Sequence, residues 1–116
     1  MTPPRLTPQA ALQALAEDPR GLPFHSLLRR GSVEIEIYKP TGRDLQLPHS
    51  RDEVYVVIAG SGEFSCGGRR QEFTAGEVLF VPAGVEHRFE NFSDDFATWV
   101  LFVGPEGSEN NTQETR

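Results

Sequence analysis

"GEVLFVPAGVEHRFEN", residues 76–91, decides the reading of this chain. A β-branched, apolar run stops at Pro82-Ala83-Gly84, and one of only three histidines, His87, follows immediately. Proline and glycine fix the geometry of a tight turn, so the segment reads as strand, turn, strand. Alternation in the second strand puts His87, Phe89 and Asn91 on one face. A polar ring delivered by a turn onto the inner face of a strand is a candidate ligand, provided that other donors meet it.

The other donors stand in "HSRDEVYVVIAG", residues 49–60. Glu53, Tyr55 and Val57 share one face of a strand, and His49, four residues earlier, has the same parity if the chain stays extended. Two imidazoles and a carboxylate carried into a small lumen suit a divalent first-row metal with open coordination positions. Such an ion would keep much of its Lewis acidity. Tyr55, Phe89 and Trp99 are the aromatic candidates for lining the pocket.

The flanking sequence has the texture of a single all-β domain. Thr7-Pro8 followed by "QAALQALAED" reads as a capped helix with an apolar stripe at Leu12, Leu15 and Ala16, ended by Pro19 and Gly21. From Leu22 onward, short strand-like runs alternate with Gly and Pro, as in sandwiches and barrels. In "SVEIEIY" Val33, Ile35 and Ile37 alternate with Glu34, Glu36 and Tyr38, which predicts one buried and one polar face. "EVYVVIAG" is apolar on both faces, as in a strand lying between a barrel interior and a second packed layer. Gly67-Gly68 turns a hairpin. The expected organisation is an N-terminal helix and arm over 1–21, a barrel over 22–105 and a disordered tail over 106–116, where nothing apolar remains to bury.

Composition narrows the function classes. The chain has 116 residues, enough for one core. A formal charge of -6 and only isolated arginine pairs argue against nucleic acid or an anionic membrane as partner. The single cysteine, Cys66, cannot make an internal disulfide, and no signal-like or membrane-spanning run is present, so a cytoplasmic protein is the simpler expectation. Cys66 is assigned no chemistry, and His25 a surface or interface role.

The spacing of these residues resembles the cupin superfamily. Its first motif, from the second histidine onward, is matched by His49, Glu53 and Gly60, and its second by Gly76, Pro82, Gly84, His87 and Asn91. The resemblance spans roughly residues 32–103 and implies a double-stranded β-helix, or jelly-roll, barrel with a short N-terminal helix. It also implies a divalent metal ion (iron, manganese, zinc or nickel) held by His49, Glu53 and His87. The family's first histidine falls on Leu47, and the nearest replacements for a fourth ligand are Gln46 and Asp44. The function implied is a metal-binding cupin acting on an oxygen-rich small molecule by dioxygenase, isomerase or decarboxylase chemistry. The alternative is a non-catalytic binding or sensor cupin, with or without metal. Pairing through sheet edges and an N-terminal arm makes a homodimer the expected assembly.

Overall fold

A computed structural model describes residues 5–104, so the expected tail over 106–116 lies outside the described residues. One helix, α1 (Pro8–Glu17), precedes eight strands: β1 (Phe24–Arg30), β2 (Val33–Tyr38), β3 (Asp52–Ala59), β4 (Ser61–Cys66), β5 (Arg69–Thr74), β6 (Val78–Val81), β7 (His87–Glu90) and β8 (Ala97–Val103). The helix starts where the sequence predicts it. The Thr7 side chain accepts from the Ala10 amide at 3.2 Å and Pro8 occupies the first turn, where no intrahelical donor is needed. Among the described residues no helix is long and apolar enough to cross a membrane.

The strands form two antiparallel sheets, one in the order β1-β2-β8-β3-β6 and one in the order β5-β4-β7. This is the jelly-roll arrangement. Tyr55, Val57, Val81, Val100 and Phe102 from the larger sheet meet Phe64, Phe73 and Phe89 from the smaller one in a single core. Phe89 is the hub of that core, with ring centroids 4.9 Å from Tyr55, 4.9 Å from Phe64, 5.4 Å from Phe73 and 4.7 Å from Phe96. These are the separations at which offset and edge-on aromatic pairs are favourable.

Strand alternation assigns the other face of the large sheet. Ile35 pairs with Leu101 and Ile37 with Trp99. Across β3, Val54 pairs with Leu101 and Phe80, and Val56 with Trp99 and Val78. The helix packs on β1 and β2 at one side of this face, where Ile37 is fully buried. Val78 and Phe80, at the far side, remain 63% and 55% exposed. The second packed layer expected over β3 therefore does not extend to these residues.

The face assignment of β2 corrects the expectation from its alternation. The polar residues Glu34, Glu36 and Tyr38 turn into a cavity on the inner face of the large sheet, bordered by the 39–51 loop, and the apolar set turns outward. A polar lumen reverses the usual rule: the amphipathic pattern locates two faces without saying which one is inside.

Two motif residues, a glycine and an asparagine, are explained by their backbone conformation. Gly60 has φ +90°, and a Cβ there would stand 2.6 Å from the Phe96 Cα, so both the conformation and the space demand glycine. Asn91 is the only non-glycine at positive φ among the described residues, at 51°, and its amide donates to Glu63 at 2.7 Å. Asparagine tolerates that region better than other side chains.

Candidate metal centre

His49, Glu53 and His87 come together, with one donor atom from each lying within 4.8 Å of the others. His49 arrives from outside β3, because bends at Ser50 and Arg51 break the extended run that its parity assumes. Glu53 and His87 are buried, at 1% and 2% exposure, while His49 sits at the cavity edge. His87 Nε2 is 3.1 Å from Glu53 Oε2, and His49 Nε2 is 3.7 Å from Glu53 Oε1.

The Pro82-Ala83-Gly84 turn aligns the two ligand segments with each other. The Gly84 amide donates to the His49 carbonyl at 2.7 Å, and the Ala83 amide donates to the Asp52 carboxylate at 2.8 Å. The turn that delivers His87 thus also holds the chain just before Glu53. This is why a histidine follows that tripeptide.

Hydrogen-bond inventory shows what the cluster lacks. His87 Nδ1 lies 2.9 Å from the Val85 carbonyl, which can only accept, so Nδ1 carries a proton and the neutral ring presents a lone pair at Nε2. That lone pair faces Glu53 Oε2, a buried oxygen without a hydrogen-bond donor. Tyr55 Oη stands among them, 3.1 Å from His87 Nε2, 3.0 Å from Glu53 Oε1 and 3.2 Å from Gln46 Oε1. Its one hydrogen must serve three acceptors. The cluster is rich in lone pairs and short of protons, which is the donor set of a cation site. A divalent metal fits it, as does an extra proton on His87. Burial alone would lower the His87 pKa, but the Glu53 carboxylate, the Val85 carbonyl and the charges of Glu53 and Asp44 outweigh it and raise the pKa above the usual imidazole value. Burial and the Glu53 charge hold the Tyr55 phenol firmly protonated in the metal-free cluster.

Gln46 and Asp44 reach the centre only indirectly. Gln46 offers its carbonyl oxygen to Tyr55, while its amide nitrogen donates to Asp44 at 2.8 Å. Asp44 is 3% exposed and accepts from Tyr38 Oη at 2.5 Å, from the Gln46 amide at 3.1 Å and from the Phe89 amide at 2.8 Å. It ties the 39–51 loop to β2 and β7. Leu47, at the position of the family's first histidine, is 75% exposed. Of the aromatic candidates, Tyr55 borders the centre through its hydroxyl, Phe89 belongs to the core, and Trp99 does not line the cavity. Trp99 points to the outer face because its neighbour Val100 points inward. Cys66, in register with His87, is a partly buried neighbour whose thiol pKa is raised by burial and by Glu53. His25 is far from the centre and pairs with Asp18 at 2.9 Å.

A cavity of about 550 Å³ opens beside the cluster. Val100 and Phe102 on β8 form its floor, with Glu53 and His49 on one side and Glu34, Glu36 and Arg29 on the other. Two strand spacings, about 10 Å, separate the two walls. On the far wall Glu34 accepts from Arg29 and Arg51, each at 2.9 Å, and from Ser26 at 3.0 Å. Burial would raise the Glu34 pKa, but these hydrogen bonds lower it to about 2. Arg51 also lies over the Phe102 ring, 5.0 Å from its centroid.

The sequence carries no signal of a role for Glu36, because alternation in a strand marks its face and nothing more. Burial first, then the charges of Glu34 and Glu53, push its pKa up to about 7. A carboxyl whose folded-state pKa is raised stays protonated in the native state where the unfolded chain has ionised. Its penalty therefore appears as pH rises from about 4.5 through about 7. Metal-free protein is expected to lose melting temperature over this interval, and Glu36→Gln to flatten the loss. Thermal scans at pH 5 and pH 8 in chelator check this, and parallel slopes for the two proteins would rule it out.

The comparisons with known proteins agree with the geometry. Residues 34–104 match the Cupin domain family, and the chain belongs to it. An uncharacterised protein of Streptomyces coelicolor is 41% identical over 85 residues, covering 72% of this chain and 81% of that one. Acireductone dioxygenase of Ixodes scapularis is 37% identical over 62 residues, covering 48% of this chain and 34% of the enzyme. Among solved structures, a Cupin 2 conserved barrel domain protein from Salinispora arenicola superposes with TM-score 0.64 at 22% identity, covering 90% of each chain. That likeness carries the fold.

Proposed function

We propose that this protein is a metal-dependent cupin enzyme acting on a small, oxygen-rich molecule. His49, Glu53 and His87 would hold a divalent ion, which supplies a Lewis acid for carbonyl or enolate oxygens. The carrying observation is the proton deficit of the buried cluster, where the Nε2 lone pair of His87 faces a donor-less Glu53 oxygen at 3.1 Å.

The chain's own residues define what the substrate meets. Phe102 and Val100 offer an apolar floor against which a compact ligand lies, shielded from water on that side. A molecule reaching across that floor from the histidines meets Glu36, a carboxyl able to hold or give up a proton near neutrality, and the guanidinium of Arg51. Dioxygenase, isomerase and decarboxylase reactions all use a polarised oxygen next to a proton-transferring group. The partial similarity to acireductone dioxygenase is compatible with the first of these, and the chain has comparable partial similarity to mannose-1-phosphate guanylyltransferases, so neither selects the reaction.

Metal removal tests the reading. Binding to the folded state alone stabilises by about 2.7 kcal/mol when free metal exceeds Kd a hundredfold. For a domain of this size that is a drop in Tm of roughly 10 °C or more on chelation, and adding back zinc or manganese should restore it. The same Tm with chelator, zinc or manganese would leave His87 protonation as the cluster's cation and make the protein a metal-free binding module.

A further inference from the structure

Leu47 leaves the cluster one side-chain donor short of the four that the family's motifs supply. We propose that Tyr55 Oη is the fourth protein donor to the metal, an inference that rests on the metal reading above.

Donors bonded at about 2.1 Å to one ion lie about 3.0 Å apart at octahedral angles and about 3.4 Å apart at tetrahedral ones. Tyr55 Oη is 3.0 Å from Glu53 Oε1 and 3.1 Å from His87 Nε2, and His87 Nε2 is 3.1 Å from Glu53 Oε2. The tyrosine oxygen therefore keeps to both neighbours the spacing of an adjacent ligand. An outer residue that merely steadied a ligand would contact one donor residue; Tyr55 Oη lies within 3.1 Å of donor atoms on two of the three.

The side chain has little freedom to leave. Tyr55 is fully buried, and its ring stands edge-on to Phe89 at 4.9 Å and to Phe64 at 6.0 Å. Gln46 explains how the phenol ligates without losing its proton to a divalent ion. Its amide nitrogen is committed to Asp44, so its carbonyl oxygen, 3.2 Å from Tyr55 Oη, accepts the phenol hydrogen while an oxygen lone pair faces the metal. Gln46 then acts on the metal through Tyr55 and is a positioning residue. A more acidic ion, ferric iron, displaces that hydrogen to solvent as a proton and leaves a phenolate.

Ferric iron is accordingly the probe, since a phenolate on ferric iron absorbs visible light and gives tyrosinate bands in resonance Raman spectra. Full-length protein loaded with one equivalent is expected to show both, and Tyr55→Phe to lose both while still binding iron. Zinc affinity of Tyr55→Phe should fall by about tenfold or more, less than on loss of an imidazole because a neutral phenol is the weaker donor. The spectrum, and not this affinity, separates a direct donor from a supporting group. Iron bound by the wild type without a visible band would overturn the Tyr55 assignment and leave the metal reading standing. No iron or zinc bound at all would overturn both. The wild-type spectrum decides the matter even if Tyr55→Phe proves unstable.

Discussion

His87→Ala is expected to reduce metal affinity by more than about a hundredfold, because loss of a direct donor should exceed the cost of losing a group that only supports one. Zinc content after dialysis, measured by elemental analysis, should fall from near one equivalent to a trace. His25→Ala should keep the full equivalent. His25 pairs with Asp18 at the helix end and takes no part in the cluster, so the pair separates the centre from general histidine binding. Equal metal content in wild type and His87→Ala would sink the assignment. The variant should also lose the response of Tm to chelator, since the stabilisation by metal depends on affinity for the native state.

The face of Glu53 and the turn before His87 are local properties of strand and turn, legible because strands transmit them rigidly. His49, by contrast, stands before bends at Ser50 and Arg51 and reaches Glu53 by the path of the loop. The helix boundary at Thr7-Pro8 was legible for a similar reason: it depends on groups three residues apart. What escaped depends on which side of a strand is the inside. Alternation separates Glu34 and Glu36 from Ile35 and Ile37, but a polar cavity and a helix-covered outer face give the same pattern with the sides exchanged. Trp99 fell to the wrong face for the same reason, and Phe89, though facing inward, serves the core instead of the cavity. Tyr55 was placed near the pocket by parity, yet its meeting with Gln46, nine residues earlier, depends on the path of the 39–51 loop. That path is set by Asp44, whose partner at Phe89 is 45 residues away, a contact that no local pattern encodes.

Asp44→Ala should therefore destabilise the fold by about 4 kcal/mol, on a par with truncating an aromatic residue of the core. The buried carboxylate accepts from the Phe89 amide, the Tyr38 hydroxyl and both nitrogens of Gln46. Removing it leaves at least the first two donors buried without an acceptor, at about 1–3 kcal/mol each, and the remainder of the loss comes from the gap left beside them. Asp44→Asn should cost less, since its carbonyl oxygen keeps one strong bond while its amide turns a donor towards donors. Denaturant unfolding should show the midpoint falling in the order wild type, Asn, Ala. The effect should reach the metal as well. Without Asp44, the Gln46 amide loses its anchor and its carbonyl no longer holds the Tyr55 phenol, so zinc affinity should weaken in Asp44→Asn even where that variant remains folded. A variant as stable as wild type would show that the loop is held by other contacts. One that is destabilised with unchanged zinc affinity would show that the path from Asp44 through Gln46 to Tyr55 supports the fold alone.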